Sequence, residues 1–311
     1  MNKIAIISPY FGELPKNIFL TLESMKNNSF IDWYIYTNED VVFAANNIII
    51  NNCTFNEFKK IVKNKIGTDI HSPYKLCDYK VTYGYVFSTI LEKYDFWGYC
   101  DLDIVFGDLK NVFSEKNMNN NDKILDLGHI SINRNIPDIN KAFMQTHLIN
   151  KDYKKILNSK YIWCFDERYP TNHTGINDII ELLGYKIMPN IPICLDTNIQ
   201  YRNFYFENNI KLKYNYLEYK KNKLYLKNLS DLKESEVVYI HLQQKKDMPI
   251  VTENFNHYFI TPRGFIAYNK KITKKYFFIN DLKIIWYLKF RIKRKIKNTI
   301  KNINNRRGNL N

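Results

Sequence analysis

The chain has 311 residues, 45% of them hydrophobic and 15% aromatic, so it can bury a core and is long enough for one large α/β domain or two smaller ones. That composition excludes a disordered chain, and the abundance of Asn, Lys, Ile and Tyr, which points to AT-rich coding and a bacterial source, carries no functional information. The net charge of +15 invites a nucleic acid or a membrane as partner, but ten basic residues lie in residues 282–311, which hold no Asp or Glu, so everything before them carries only +5.

The opening Met1-Asn2-Lys3-Ile4-Ala5-Ile6-Ile7-Ser8-Pro9 has too short an apolar run for a signal peptide and fits a first buried strand over residues 3–8. Pro15 to Lys26 reads as a helix begun by proline, and Asp32 to Tyr36 as a second strand ending in Thr37-Asn38-Glu39-Asp40. Asn56 to Ile66 and Tyr79 to Lys93 read as helices. An aromatic strand, Tyr94-Asp95-Phe96-Trp97-Gly98-Tyr99-Cys100, then runs into Asp101-Leu102-Asp103. A short strand is expected at Ile130-Ser131-Ile132, a helix over Ala142 to Leu157, another from Asn177 to about Leu183, and extended, proline-punctuated chain from Ile187 to Leu195. Residues 201–229, rich in Tyr, Lys and Asn, form a hairpin or a loop, and Val237 to His241 is the last strand. There is no internal repeat and no clear linker. Alternating strands and helices imply α/β class with a mostly parallel, Rossmann-like half.

In the basic tail Ile285, Leu288, Ile292, Ile296, Ile300 and Ile303 recur at helical spacing, with Lys and Arg on the other faces and Trp286, Tyr287 and Phe290 at one end. Such a basic amphipathic helix over 281–311 suits an anionic membrane surface; the alternative is an ordinary terminal helix packed on the domain. No stretch approaches the ~20 apolar residues of a membrane span. No nucleic-acid-binding motif is present, so no nucleic-acid partner is expected. The five cysteines, at 53, 77, 100, 164 and 194, include no C-x-x-C pair and are expected to be reduced thiols in the cytoplasm.

Chemistry concentrates at Asp101 and Asp103. Side chains alternate faces along a strand, so two carboxylates one residue apart point the same way and offer hard oxygen ligands suited to Mg²⁺ or Mn²⁺. Ligands of open α/β sheets gather at such strand ends. The apolar and aromatic run before the pair, and Ile104-Val105-Phe106-Gly107-Asp108-Leu109 after it, distinguish it from an exposed loop.

With these motifs in order, roughly residues 1–250 resemble the GT-A nucleotide-sugar glycosyltransferases. The resemblance is to the glycogenin-like, lipopolysaccharide galactosyltransferase-like branch and to bacterial relatives in capsule and lipopolysaccharide gene clusters. Lys75-Leu76-Cys77-Asp78-Tyr79-Lys80 looks like that family's donor-side helix, and Cys100-Asp101-Leu102-Asp103 like its metal strand. Leu127-Gly128-His129-Ile130-Ser131 is similar to the small-residue strand beside the donor sugar, Gly175-Ile176-Asn177-Asp178 to the acceptor-side segment, and His241-Leu242-Gln243-Gln244-Lys245-Lys246 to the late histidine-then-lysine motif. The glycine and the proline-tryptophan that usually follow that histidine are absent.

The resemblance implies a GT-A domain over 1–280, with a donor-binding half over about 1–125 and an acceptor-side half over about 126–250. It implies Mn²⁺ or Mg²⁺ held by Asp101, Asp103 and His241, and Lys245 or Lys246 neutralising a departing nucleoside diphosphate. Pro9, Tyr10 and Phe11 are placed for a base, Lys75, Asp78, Lys80, Leu102, Gly128 and His129 for the rest of the donor. Asp166, Glu167 and Asp178 are the candidate catalytic carboxylates, acting as base, nucleophile or stabiliser. The implied function is transfer of a hexosyl-type sugar to a glycan or lipid-linked acceptor of a bacterial surface polysaccharide, at the inner face of the cell membrane. A haloacid-dehalogenase-like phosphatase, which also carries D-x-D, and a non-catalytic membrane-surface interaction protein are the alternatives.

Overall fold

A computed structural model describes residues 2–167, 175–189, 194–196, 204–206, 211–212, 214–243 and 248–277. The proposed tail helix and both Lys245 and Lys246 lie outside them. Numbered in chain order, the strands fall in three sheets. The first contains β1 (Ile4–Tyr10), β2 (Ile31–Thr37), β3 (Ile48–Asn52), β4 (Phe96–Cys100), β6 (Lys123–Leu127), β7 (Ile130–Arg134) and β8 (Ile187–Met188), in the order β3-β2-β1-β4-β7-β6-β8. The second contains β5 (Ile104–Phe106), β9 (Cys194–Asp196), β10 (Phe204–Phe206), β11 (Lys211–Leu212) and β15 (Tyr239–His241). The third is formed by β12 (Asn215–Lys220), β13 (Lys223–Asn228), β14 (Asp231–Val237), β16 (Ile250–Val251), β17 (His257–Thr261) and β18 (Gly264–Ala267).

The four strands β3, β2, β1 and β4 pair in parallel. Parallel strands are covered on both faces, and their alternation sorts side chains into two cores. Ala5, Ile7, Trp97 and Tyr99 enter one with Phe58, Val62, Tyr79 and Tyr83. Ile4, Ile6, Phe96 and Cys100 enter the other with Trp33 and Ile35. The helix Phe55–Ile66 starts at a capping box, Thr54 Oγ1 accepting the Glu57 amide at 3.2 Å and Glu57 Oε2 accepting the Thr54 amide at 2.7 Å. It stops at Gly67, whose φ of 67° is the left-handed geometry glycine adopts without strain. The helical run from Leu76 to Leu91 alternates α and tighter 3₁₀ turns and packs Gly84 so closely on Trp97 that a Cβ there would collide with the indole.

Several expectations are corrected. The expected helix over Ala142 to Leu157 is two 3₁₀ turns, Ala142–Met144 and Thr146–Ile149, followed by a separate helix, Tyr153–Asn158. Left-handed Asn150, with φ 55°, and Asp152, which caps the Lys154 amide at 2.8 Å, break the run. Val237 to His241 is two strands, β14 ending in the third sheet and β15 beginning in the second. Within 201–229, β12 and β13 form a hairpin across Lys221 and Asn222, whose φ of 50° and 64° suit the tight turn that antiparallel strands favour. Among the described residues no helix is long and apolar enough to cross a membrane.

Candidate active site

The D-x-D pair is the junction between two sheets. β4 delivers the chain to Asp101, whose amide donates to the His129 carbonyl at 2.9 Å, and β5 resumes at Ile104 in the second sheet. The pair lies in a bend between the two strands rather than on a strand, with Leu102, 1% exposed, plugging the core and the Asp101 and Asp103 side chains 36% and 16% exposed on either side of it. β15 pairs antiparallel with β5 in the register Tyr239↔Phe106, Ile240↔Val105, His241↔Ile104, which delivers His241 beside the pair. The Leu242 amide locks the register by donating to the Asp103 carbonyl at 2.8 Å.

One ligand atom each from Asp101, Asp103 and His241 lies within 4.8 Å of the others. Two hard carboxylates and one imidazole are a donor set that fits Mn²⁺ or Mg²⁺. His241 Nε2 stands 3.4 Å from Asp103 Oδ1. Burial pushes the Asp103 carboxyl up, but the facing imidazole outweighs it and holds the group below its ordinary value. His129 stacks on His241 with ring centroids 4.3 Å apart, and its Nε2 is hydrogen-bonded to the Tyr239 hydroxyl at 2.7 Å. Tyr239 was not anticipated, although it sits two residues before His241 on one strand and therefore on one face.

Beside this cluster stands a second acidic group bridged to it by Lys80. Lys80 Nζ is 2.6 Å from Asp101 Oδ1 and 3.5 Å from Asp166 Oδ2, and it donates to the Gly128 carbonyl at 2.8 Å. Burial disfavours its charge, yet Asp101 and Asp166 more than compensate and raise it well above the usual lysine value. Burial, only partly offset by Lys80, pushes Asp166 up to about 7; Glu167 beside it is raised for the same first reason. Gly128 makes this approach feasible, since a Cβ there would collide with the Asp166 carboxylate and lie 2.8 Å from Glu167 Oε1. Tyr99, also unanticipated, donates its hydroxyl to the Asp166 carbonyl at 3.1 Å and accepts from Lys123 at 3.2 Å. Burial lowers Lys123 to about 8.

The structure thus brings together Asp101, Asp103, His241, Lys80, Gly128, His129, Asp166 and Glu167. Phe11, Lys75 and Asp78 are instead buried. Phe11, placed for base stacking, is buried between Phe55 and Phe58 at centroid distances of 5.3 Å. Pro9 lies in β1 opposite Tyr36, and Tyr10, partly exposed, donates its hydroxyl to the Glu13 carbonyl at 3.0 Å. The Leu102 side chain is buried in the core beneath the pair. Lys75 and Asp78 are 1% and 0% exposed and paired with each other, which removes both from donor contact. Asp178 caps its own helix, accepting the Gly175 amide at 3.1 Å.

A family model described as "Family of unknown function (DUF6625)" matches residues 6–269. No curated protein matches. Among solved structures, a galactosyltransferase, LgtC, with donor and acceptor sugar analogs is similar at 10% identity, over 62% of this chain and 75% of that one, with a TM-score of 0.33. An active-site mutant of LgtC is similar at 9% identity, over 79% and 88%, with a TM-score of 0.35. The glycosyltransferase GlyE of Streptococcus pneumoniae TIGR4 is similar at 16% identity, over 60% of this chain and 45% of its own length, with a TM-score of 0.30. Likeness at these scores leaves the chemistry to the side chains already described, which stand on a mixed α/β framework with four neighbouring parallel strands.

Proposed function

The chain belongs to the DUF6625 family, a family of unknown function, and from that premise we propose that it is a metal-dependent glycosyltransferase using a nucleotide-diphosphate sugar. The observation that carries the proposal is the convergence of Asp101, Asp103 and His241 at the junction of two sheets, with ligand atoms within 4.8 Å. These three residues would hold Mn²⁺ or Mg²⁺, which supplies positive charge to a diphosphate leaving group. A carboxylate has two oxygens, so Asp101 can serve Lys80 with one and a cation with the other.

The chain's own groups divide the remaining work. Lys80 ties the metal-side carboxylate Asp101 to Asp166 and adds a fixed positive charge where diphosphate charge accumulates. Asp166 and Glu167, rather than Asp178, are the carboxyls we assign to the acceptor side. A carboxyl poised at about 7 exchanges a proton with an acceptor hydroxyl at physiological pH more readily than an ordinary aspartate does. Gly128 leaves room for that pair, and His129 and Tyr239 orient the His241 ring.

Transfer to a glycan or lipid-linked acceptor of a bacterial surface polysaccharide, at the cytoplasmic face of the membrane, is the setting we propose. The basic, helically patterned tail of residues 281–311 supports it. Truncation after Asn280 is expected to weaken binding to anionic vesicles and spare donor hydrolysis. A dehalogenase-like phosphatase normally carries its carboxylate pair after the first strand, whereas here β1 ends in Ser8-Pro9-Tyr10 and the pair follows β4. Asp101→Asn and Asp103→Asn should each abolish turnover of the nucleotide sugar with the circular dichroism spectrum unchanged. Full turnover in both variants would remove the metal-site assignment.

A further inference from the structure

Lys75 and Asp78 are the most thoroughly committed charged pair among the described residues, and neither reaches solvent. Lys75 Nζ donates to Asp78 Oδ2 at 2.6 Å, to the Ile156 carbonyl at 2.8 Å and to the Tyr161 carbonyl at 2.7 Å. An ammonium has three donors, and all three are spent. Asp78 Oδ1 accepts the Phe165 amide at 2.9 Å, and the Trp163 amide lies 3.1 Å from Oδ1 and 3.0 Å from Oδ2. Between those two amides Cys164 adopts φ 51°, a left-handed turn that aims both N–H groups at one carboxylate. The Tyr79 hydroxyl adds a fifth tie by donating to the Leu157 carbonyl at 3.2 Å.

The segment so held, residues 156–165, leads directly into Asp166 and Glu167. Resting on the glycosyltransferase proposal above, we propose that Lys75 and Asp78 are positioning residues. They form a buried ion pair that fixes the 161–165 backbone so that Asp166 and Glu167 stand against Gly128 and Lys80, and they do not touch the donor. The same clamp explains how a half-buried Cys164 tolerates left-handed backbone: three hydrogen bonds to Asp78 over-determine the turn.

The test uses the full chain with Lys75→Met/Asp78→Leu, which removes both charges together and so leaves none buried alone. Three readouts are taken: hydrogen exchange at the Trp163 and Phe165 amides, Mn²⁺-dependent affinity for nucleoside diphosphates, and donor hydrolysis. The expected result is faster exchange at both amides and a fall in kcat of about 100-fold, the scale of a misplaced catalytic group. Donor KM and nucleotide affinity should stay within about two-fold of wild type, because ground-state donor binding is untouched. Wild-type exchange and turnover in the folded double variant would overturn the proposal. So would a nucleotide affinity that falls in step with kcat, since the pair would then be contacting the donor. If the double variant does not fold, Lys75→Gln/Asp78→Leu, which keeps an amide donor for the Ile156 and Tyr161 carbonyls and again leaves no charge buried alone, is read by the same three measurements and the same criteria. If wild-type protein turns over no sugar nucleotide, the proposed activity has failed on its own account. Unchanged amide exchange in the variant would then overturn the clamp as well, and accelerated exchange would uphold it.

Discussion

The two acidic halves of the site are held by different physics. Asp101 and Asp103 are placed by strand register: β4 ends, Leu102 plugs the core, β5 begins, and β15 brings His241 alongside through ladder hydrogen bonds. Asp166 and Glu167 are placed by charge, on a segment of irregular backbone tethered to a buried ion pair 85 and 87 residues earlier in the chain. Register is distributed over many bonds and tolerates the loss of a side chain, whereas a single buried pair concentrates the dependence in two residues. Substitution of Asp103 should therefore cost function without stability, and substitution within the Lys75–Asp78 tether should cost both.

The largest expected effect breaks the charged tether alone. Lys75→Met leaves Asp78 buried without its cation and should destabilise the protein by about 3–5 kcal/mol in urea unfolding. Adding Asp78→Leu to the same chain removes the lone charge but leaves the Trp163 and Phe165 amides without their acceptor, so it should recover only part of that loss. Gly128→Ala comes next: the new Cβ meets both carboxylates, so a cost of about 1–3 kcal/mol and a fall in turnover are expected, with metal-dependent nucleotide binding retained. Equal loss of binding and turnover would show that Gly128 serves the donor directly.

A pH effect sharpens the comparison further. Asp166 is held near 7 in the folded chain, above the ~3.9 of an unfolded aspartate, so the fold favours its neutral form. That contribution is fully present below about pH 4 and is lost as pH rises through 7. Asp166→Asn should remove a pH-dependent loss of about 4 kcal/mol between pH 4 and 8, measured by urea unfolding at each pH. An identical pH profile in the variant would contradict a buried, neutral-favouring Asp166. The smallest effect is on the register side: Tyr239→Phe deletes the hydrogen bond to His129 at a cost of about 1 kcal/mol and should weaken Mn²⁺ affinity only modestly.

The same contrast explains what could be read in advance. The strands over residues 4–10 and 31–37 announce themselves as apolar runs, and the aromatic strand entering Asp101-Leu102-Asp103 carries its own alternation. His241 and Asp103 share a motif order that resemblance could supply. Tyr239, His129 and His241 meet through strand pairing between residues far apart, and only the two-residue spacing of Tyr239 and His241 signals it. The Lys75–Asp78 clamp left no local trace, because a lysine and an aspartate three residues apart look like a solvated helix face until Trp163 and Phe165 are seen to donate to the carboxylate. The break at Asn150 was hidden for a related reason: apolar residues over 142–157 keep a helical rhythm, and the left-handed asparagine interrupts the backbone beneath it.

The most direct measurement is calorimetric titration of the full chain with a panel of nucleoside diphosphates and their sugars, in Mn²⁺ and again in EDTA, repeated on Asp103→Asn. At least one nucleotide is expected to bind in Mn²⁺, EDTA to abolish the binding, and Asp103→Asn to abolish it without altering the fold. Nucleotide binding that survives both EDTA and Asp103→Asn, or no nucleotide binding in any condition, would contradict the proposed function.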